Sequence, residues 1–140
     1  MAALFNFIAP DCPDLLYAIK EVLRATARPG VDDLRRLKRI LRYLRGCPRR
    51  VLVMPWASER EGIEANVDAD FAGCRVTRRS TCGGCILWGG ALIKAWSKTM
   101  ATLALSTGEA ELGATTRGAA EADGGGLDPP GLWGDVVHHP

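Results

Sequence analysis

The sequence predicts an α/β (α+β) protein in which two helices precede a short mixed or antiparallel sheet with a further helix packed on it. Apolar side chains recur at helical spacing over residues 11–45, which indicates the two helices. Short apolar or alternating segments bounded by turn residues follow between residues 51 and 96 and are typical of strands. Ser106 then begins a helix-capping sequence, which predicts the last helix. Antiparallel strands with a helix on one face form a unit of this class.

Length and composition place the protein in an ordinary folded class. The chain has 140 residues, of which 47% are hydrophobic and 24% charged, and this suits one compact unit. No apolar run approaches the roughly 18–20 residues that span a bilayer. The first ten residues lack the basic region and the cleavage site of a secretory signal. We therefore expect an intracellular protein, cytoplasmic or nuclear, with no membrane partner.

The first helix is predicted over residues 11–28. Leu15, Ile19 and Val22 recur at helical spacing and share one face. Pro29-Gly30 is expected to end this helix.

The second helix, over residues 32–45, has the clearest periodicity in the chain and is strongly basic. Leucines repeat at i, i+3, i+7 and i+10, and Gly46 is a natural stop. Eight basic residues and no acidic residue lie between Arg35 and Arg50. Such a face is either an ordinary solvated surface or a surface that binds the phosphates of a nucleic acid. Residues 1–60 carry 12 basic and 6 acidic side chains, whereas residues 61–140 carry 6 basic and 10 acidic side chains.

The strands form the second half of the predicted fold. They are expected at residues 51–54, 63–71, 85–88 and 92–96. The second of them alternates, so Asn66, Asp68 and Asp70 share one face. Gly89-Gly90 is expected to turn a hairpin between the last two strands.

The last helix is predicted from a capping box, Ser106-Thr-Gly-Glu109, to about Ala122. Gly113 and Gly118 weaken it by about 1 kcal/mol each relative to alanine. From residue 123 the chain is rich in Gly and Pro and has no periodicity, which predicts a disordered or divergent tail.

The five cysteines are expected to be reduced and structural. Their odd number, without a secretory signal, argues against a disulfide framework. Cys82-Gly-Gly-Cys85 lies on a predicted strand, whereas a redox pair normally opens a helix. Cys74 and the pair His138-His139 are irregularly spaced partners for a zinc site, which needs about four ligands.

Asp68 and Glu111 are expected to converge if the last helix packs across the sheet. Asp68 and Asp70 share one strand face, and Glu109 and Glu111 begin the last helix. Converging carboxylates repel each other unless a divalent cation lies between them, and such oxygen ligands suit Mg²⁺ or Mn²⁺. Two ions about 4 Å apart activate water and stabilise the leaving oxygen of a phosphodiester. The alternative is that these acids are merely solvated or complement the helix dipole.

Four short motifs follow one another in the second half of the chain. They read Val67-Asp-Ala-Asp-Phe-Ala-Gly73, Arg78-Arg-Ser-Thr-Cys-Gly83, Gly89-Gly-Ala-Leu-Ile-Lys-Ala-Trp-Ser-Lys98 and Ala104-Leu-Ser-Thr-Gly-Glu-Ala-Glu111. In this order and spacing, the chain resembles the ribonuclease H domain of Ty1/copia-type retrotransposon Pol polyproteins over about residues 62–122. Upstream, residues 13–22 and 37–46 resemble the end of the reverse transcriptase and its connection to that domain.

The resemblance implies a partial ribonuclease H-like fold and hydrolysis of the RNA strand of RNA–DNA hybrids with Mg²⁺ or Mn²⁺. By position it makes Asp68 and Glu111 the catalytic, metal-binding carboxylates, with supporting roles for Asp70 and Glu109. The hybrid would be recognised through groove shape and 2′-hydroxyl contacts. The residues expected at the nucleic acid are Arg35, Arg39, Arg42, Arg78 and Arg79, and Ser80 and Trp96 are expected near the substrate or shaping the hairpin.

The resemblance also divides the chain into three expected parts. Residues 1–50 would be the end of the reverse transcriptase with the basic helix. Residues 51–122 would be the partial ribonuclease H-like domain, and residues 123–140 the Gly/Pro-rich divergent tail.

The chain departs from the pattern of that family after the last helix. A third aspartate, in a D-N-x-x-[AS] strand, and a final histidine–aspartate region have no counterpart here, since Asp128 and Asp135 lie in an unrelated context. We therefore expect a truncated or degraded fragment with weak metal affinity and weak or no nuclease activity.

Three hypotheses follow from the sequence. The first is a residually active nuclease fragment, which would show metal-dependent cleavage of a hybrid. The second is a non-enzymatic nucleic-acid-binding remnant that uses the basic helix 32–50, with salt-dependent binding. The third is a translated relic that folds poorly and gives a molten product.

Overall fold

The computed structural model describes residues 2–56 and 62–123. In chain order the elements are α1 (Ala2–Ile8), a 3₁₀ turn (Pro13–Leu15), α2 (Leu16–Arg24), α3 (Val31–Gly46), β1 (Ile63–Ala69), β2 (Thr81–Trp88), β3 (Ala91–Thr99) and α4 (Thr107–Asp123). The predicted mixed α/β architecture with an antiparallel sheet is therefore confirmed. The short helix α1 is not among the predicted elements, because seven residues without a cap carry too little local signal.

The first three helices share one apolar core. Its buried members are Phe5, Ala9, Leu15, Ile19, Val22 and Ile40. The side chain of Phe5 holds α1 in this core, so tertiary packing rather than propensity stabilises that helix. The predicted helix over residues 11–28 is shorter in the structure and ends at Arg24. Just beyond it, the hydroxyl of Thr26 donates to the carbonyl of Leu23 at 2.7 Å, which competes with further helix formation.

Helix α3 matches its prediction closely, but its leucine stripe is only half buried. The carboxylate of Asp33 accepts a hydrogen bond from the backbone N–H of Gly30 at 3.0 Å, which caps the first turn. Leu37 and Leu44 pack against the helical core. Leu34 and Leu41 remain 52% and 44% exposed, because α2 covers only one side of α3.

The predicted strand at residues 51–54 is wrong. Residues 51–56 adopt neither helix nor strand, and Val51 is 83% exposed. Apolar and β-branched residues favour a strand only where a neighbouring strand pairs with them, and none of the described strands does so here.

The three described strands form one antiparallel sheet in the order β1-β2-β3. Gly89 and Gly90 turn the predicted hairpin with φ angles of 54° and 78°, the left-handed conformation that a two-residue turn of type I′ requires. In this register Asp68 lies opposite Gly83, and Gly83 lies opposite Ser97. Both hairpin strands extend further than predicted, because their outer residues continue the ladder.

Helices cover the sheet from two sides. Ala110 and Ala114 of α4 pack against Ala69 and Cys82, and these four residues form a second buried cluster. On the other side, the ammonium group of Lys20 in α2 donates to the hydroxyl of Thr81 at 2.9 Å. Among the described residues, no helix combines the length and the apolar character needed to cross a membrane.

The predicted CxxC segment lies on strand β2, as expected. Cys82 is buried on the face that α4 covers. Cys85 is an odd number of residues away and lines a cavity on the opposite face. The strand therefore separates the two sulfur atoms. Apart from Asp123, the predicted tail at 123–140 lies outside the described residues, as do His138 and His139.

Glu121 fixes the far end of α4 to strand β3. Its carboxylate accepts hydrogen bonds from Lys94 at 2.7 Å and Lys98 at 3.1 Å and from the guanidinium of Arg117. These partners, Lys94 first, lower the pKa of Glu121 to about 2 against a smaller opposing effect of burial. The side chain is only 11% exposed, so this ion-pair network is better shielded than a typical surface pair.

Replacing Glu121 with glutamine is expected to lower the free energy of unfolding by about 1 to 2 kcal/mol at neutral pH, since three cations lose their shared partner. A lowered pKa in the folded state stabilises the protein fully above pH 4.5. This contribution disappears as the pH falls from 4.5 towards 2. Urea unfolding between pH 2 and 6 measures it, with Asp123→Asn, an exposed acid of the same helix, as control. A stability difference that does not change with pH would contradict the assignment.

Candidate functional site

Asp68 projects from the face of the sheet that α4 leaves free. Its neighbours Val67 and Ala69 pack towards α4, so strand alternation directs Asp68 to the other side. There it lines a cavity of about 700 Å³ between the sheet and the start of α2. Asn66, Ser97 and Tyr17 line the same cavity.

The residues beside Asp68 on β2 and β3 have a small side chain or none. Gly83, directly opposite on β2, has no side chain, and Ser97 on β3 has a small one. Asp68 is exposed, and among the described residues no hydrogen bond or ion pair involves its carboxylate. It is therefore free to contact a ligand.

Asp70, in the same motif, has a structural role. Its carboxylate accepts a hydrogen bond from the backbone N–H of Thr81, and its own N–H donates to the carbonyl of Thr81 at 3.0 Å. A Cβ atom on Gly73 would lie 2.1 Å from this carboxylate, so a larger residue there would displace the carboxylate from its position. The buried hydroxyl of Ser80 accepts the N–H of Ala72 at 3.1 Å and closes the same loop.

Arg78 and Arg79 lie at the exposed end of this loop. The N–H of Arg78 donates to the carbonyl of Cys74 at 2.7 Å, and Arg78 has a φ of 55°. The guanidinium of Arg24 donates to the sulfur of Cys74 at 3.1 Å, which ties the loop to α2. Hydrogen bonds from Thr77 and then from Arg24 lower the pKa of Cys74 to about 6. The loop thus presents the two arginines on a well-ordered base, while their contact with nucleic acid stays a prediction.

Glu109 and Glu111 have different surroundings on α4. The hydroxyl of Ser106 accepts the N–H of Glu109 at 3.2 Å, and the carboxylate of Glu109 accepts the N–H of Leu105 at 2.7 Å. Glu109 is therefore part of the predicted helix cap. Glu111 is half-buried next to the fully buried Ala110, and none of the described hydrogen bonds or ion pairs engages its carboxylate.

The structure directs Asp68 of β1 to one face of the sheet and packs α4, the helix of Glu111, on the other face. Asp68 faces the α2 side of the sheet, whereas Glu111 belongs to the helix that packs on the other side. Within residues 2–56 and 62–123, no three His, Cys, Asp or Glu side chains come together as ligands for a metal ion. The carboxylates described do not by themselves fit a two-metal centre. That Asp68 and Glu111 share a cation remains a prediction.

The cations of α3 fall into two groups. Arg35 pairs with Asp32 at 2.7 Å, and Arg36 pairs with Asp33 at 3.5 Å. The i,i+3 spacing of both pairs is a signal already present in the sequence. The others are exposed and have no ion-pair partner among the described residues: Lys38, Arg39, Arg42 and Arg45.

Three of these unpaired cations point away from the core of the protein. At about 100° per residue, Lys38, Arg42 and Arg45 lie on the side of α3 opposite the buried Ile40. We call these three residues the cationic stripe. Arg39 is turned instead towards α2. Of the three α3 arginines predicted at the nucleic acid, only Arg42 therefore belongs to the stripe.

Comparison with known proteins finds three relatives. An uncharacterized mitochondrial protein of Arabidopsis thaliana, AtMg00810, is 36% identical over 109 residues, which are 78% of this chain and 45% of that protein. The retrovirus-related Pol polyprotein from transposon TNT 1-94 of Nicotiana tabacum is 36% identical over 104 residues, or 74% of this chain and 8% of the polyprotein. The corresponding polyprotein from transposon RE1 of Arabidopsis thaliana is 32% identical over 106 residues, or 76% and 7%.

Over about three quarters of its length, the chain is related to Pol polyproteins of the Ty1/copia type. The predicted resemblance is thereby confirmed. This Pol-related chain spans less than half the length of each of these relatives. No family model matches it, and no solved structure does. The ribonuclease H-like part of the fold prediction therefore stays a prediction for this chain.

Proposed function

We propose that this Pol-related chain derives from the end of a reverse transcriptase and the ribonuclease H domain that follows it. Its ancestral reaction is metal-dependent hydrolysis of the RNA strand of RNA–DNA hybrids, and we propose that this reaction is weak or lost here. The observation that carries the proposal is the position of Asp68, a solvated carboxylate without a partner among the described residues, beside an open cavity. The relationship to Pol polyproteins supports it independently.

The arrangement around Asp68 suits contact with a nucleic-acid backbone. Gly83 and Ser97 leave the sheet beside it flat, so a strand can approach the carboxylate closely. Hydrogen-bond donors and acceptors from Asn66, Ser97 and Tyr17 surround the cavity and match the 2′-hydroxyls that distinguish RNA. The shortage of converging carboxylates explains why we expect cleavage to be slow.

The test is cleavage of a labelled RNA–DNA hybrid across a titration of Mg²⁺ and Mn²⁺. We expect slow, metal-dependent cleavage that Asp68→Asn reduces by about 100-fold or more. Glu64→Gln is the matched control, since Glu64 is an exposed acid on the same strand, and its carboxylate accepts a hydrogen bond from the amide of Asn66. Equal loss in both variants would contradict the role of Asp68. No cleavage at any metal concentration would exclude a residual nuclease.

A second function, nucleic-acid binding without catalysis, is favoured by the cationic stripe. Lys38, Arg42 and Arg45 are exposed, and among the described residues no acid neutralises them. A cation that already has an ion-pair partner must break that pair before it binds a phosphate. These three residues bind phosphates without breaking an ion pair. The stripe lies opposite the helical core, so binding would require no rearrangement of the fold.

Replacing Lys38, Arg42 and Arg45 together with glutamine is expected to weaken binding of a labelled duplex or hybrid. The slope of log affinity against log salt should become less steep by about 2.7, since each lost phosphate contact contributes about 0.9. Fluorescence anisotropy at several salt concentrations measures this slope. Arg28→Gln, a change at an exposed arginine before α3, should alter it much less. Binding that is insensitive to salt would show that the cationic stripe does not bind the phosphates.

A further inference from the structure

A second cavity, of about 410 Å³, lies between α2 and α3. It combines an apolar floor, two aromatic walls and a charged rim. The floor is Leu15, Ala18 and Ile40, the walls are Tyr17 and Tyr43, and the rim is Glu21, Arg36 and Arg39. This cavity contains neither Asp68 nor any member of the cationic stripe, and Tyr17 is the lining residue that it shares with the cavity beside Asp68.

Both tyrosine rings are held in place by a cation on one face. The ammonium of Lys20 lies 4.6 Å from the centre of the Tyr17 ring, and the guanidinium of Arg50 lies 5.0 Å from the centre of the Tyr43 ring. The hydroxyl of Tyr43 also donates to the carboxylate of Asp14. Each ring therefore has a restricted orientation, and both side chains remain accessible, since Tyr17 is 56% and Tyr43 43% exposed.

The rim carries an excess of available positive charge. The carboxylate of Glu21 forms ion pairs with Lys20 at 3.1 Å and with Arg24 at 3.2 Å. Arg39 is exposed and has no ion-pair partner within the described part of the chain. Arg36 is paired only at 3.5 Å, with Asp33, and that pair is exposed to solvent. Arg39 is therefore the more available arginine for an anion at the rim, and Arg36 is the next.

We propose that this cavity binds one unpaired nucleotide, with its base against the tyrosine rings and its phosphate at Arg39 and Arg36. Stacking of a base on an aromatic side chain is worth about 1–3 kcal/mol and tolerates any base. A guanidinium group presents a planar fork of donors that matches two phosphate oxygens. The volume is within the range of small-molecule sites, about 300–1,000 Å³, and suits one nucleotide rather than a duplex. The site would hold a single-stranded end or a nucleotide displaced from its stack.

The first experiment follows the tyrosine ring resonances by NMR while adenosine 5′-monophosphate is added to the intact chain. We expect the resonances of Tyr17 and Tyr43 to shift together and to saturate. Adenosine alone and inorganic phosphate alone should each bind about tenfold more weakly, because each makes only half of the contacts. Phosphate that binds as tightly as the nucleotide would overturn the proposal. So would tighter binding of O-phosphotyrosine, which would assign the cavity to a phosphopeptide.

Matched variants separate the cavity from general charge effects. Arg39→Gln should weaken nucleotide binding about tenfold. Arg28→Gln removes the same charge at an exposed arginine that does not line the cavity, and it should leave binding within about twofold. Tyr17→Leu should abolish saturation, and Tyr17→Phe should preserve it because stacking needs only the ring. Tyr17 is 56% exposed, so both variants are expected to fold. Equal effects of Arg39→Gln and Arg28→Gln would contradict the site.

Discussion

Replacing Gly84 with alanine is expected to destabilise the protein strongly, whereas the same change at the adjacent Gly83 is expected to be nearly neutral. A Cβ atom on Gly84 would lie 2.4 Å from Cζ2 of Trp96 and 2.8 Å from the carbonyl oxygen of Asn66. Trp96 is only 6% exposed, so its indole has little room to move. Overpacking of this kind costs about 1–3 kcal/mol, and the backbone contact places this variant at the upper end.

Gly83 provides the control because it lies on the other face of β2. Its Cβ would meet only the carbonyl oxygen of Trp96 at 3.7 Å, an ordinary contact. Alanine there reduces the entropy of the unfolded chain and is expected to stabilise by a few tenths to about 1 kcal/mol. Urea denaturation of both variants measures the difference. Equal stabilities would show that Trp96 does not pack on Gly84.

The second large effect concerns the two glycines of α4, for which we expect changes of opposite sign. A Cβ atom on Gly118 would lie 2.4 Å from Cγ1 of Val67, whose branched side chain is stiff. Gly118→Ala should therefore cost about 1–3 kcal/mol, in spite of the better helix propensity of alanine.

Gly113 is exposed on the same helix, and a Cβ atom there would have the flexible end of Met100 as its closest neighbour, at 3.2 Å. Gly113→Ala should gain up to about 1 kcal/mol from helix propensity, since Met100 moves aside easily. Thermal unfolding of the two variants compares them under the same conditions. Stabilisation by both substitutions would mean that α4 does not pack on Val67 in solution.

Two glycines of the sequence motifs have structural roles. Gly73 makes room for the carboxylate of Asp70, and Gly84 makes room for the indole of Trp96. Much of the motif sequence therefore builds the sheet and its loops. Asp68 is the motif acid that the structure leaves solvated and without a described partner, and for this reason it carries the functional proposal.

The sequence predicted elements best where local chemistry fixes them. The first turn of α3, the turn at Gly89 and Gly90, and the cap at Ser106 all depend on residues within four positions of each other. Such signals are complete in a short stretch of chain. The segment 51–54 shows the limit, because its apolar residues do not reveal whether a partner strand exists.

The sequence by itself determined the resemblance to Pol polyproteins, through its motifs. It also determined the type and order of most elements, because spacing, caps and turn residues act locally. It placed Asp68 and Asp70 on one strand face and treated Gly113 and Gly118 alike. Only the tertiary structure decided that Asp70 closes a loop, that Gly118 contacts Val67, and that α4 approaches β1 from the side opposite Asp68. These relations join residues far apart in the chain, and packing between elements, which no local pattern records, sets them.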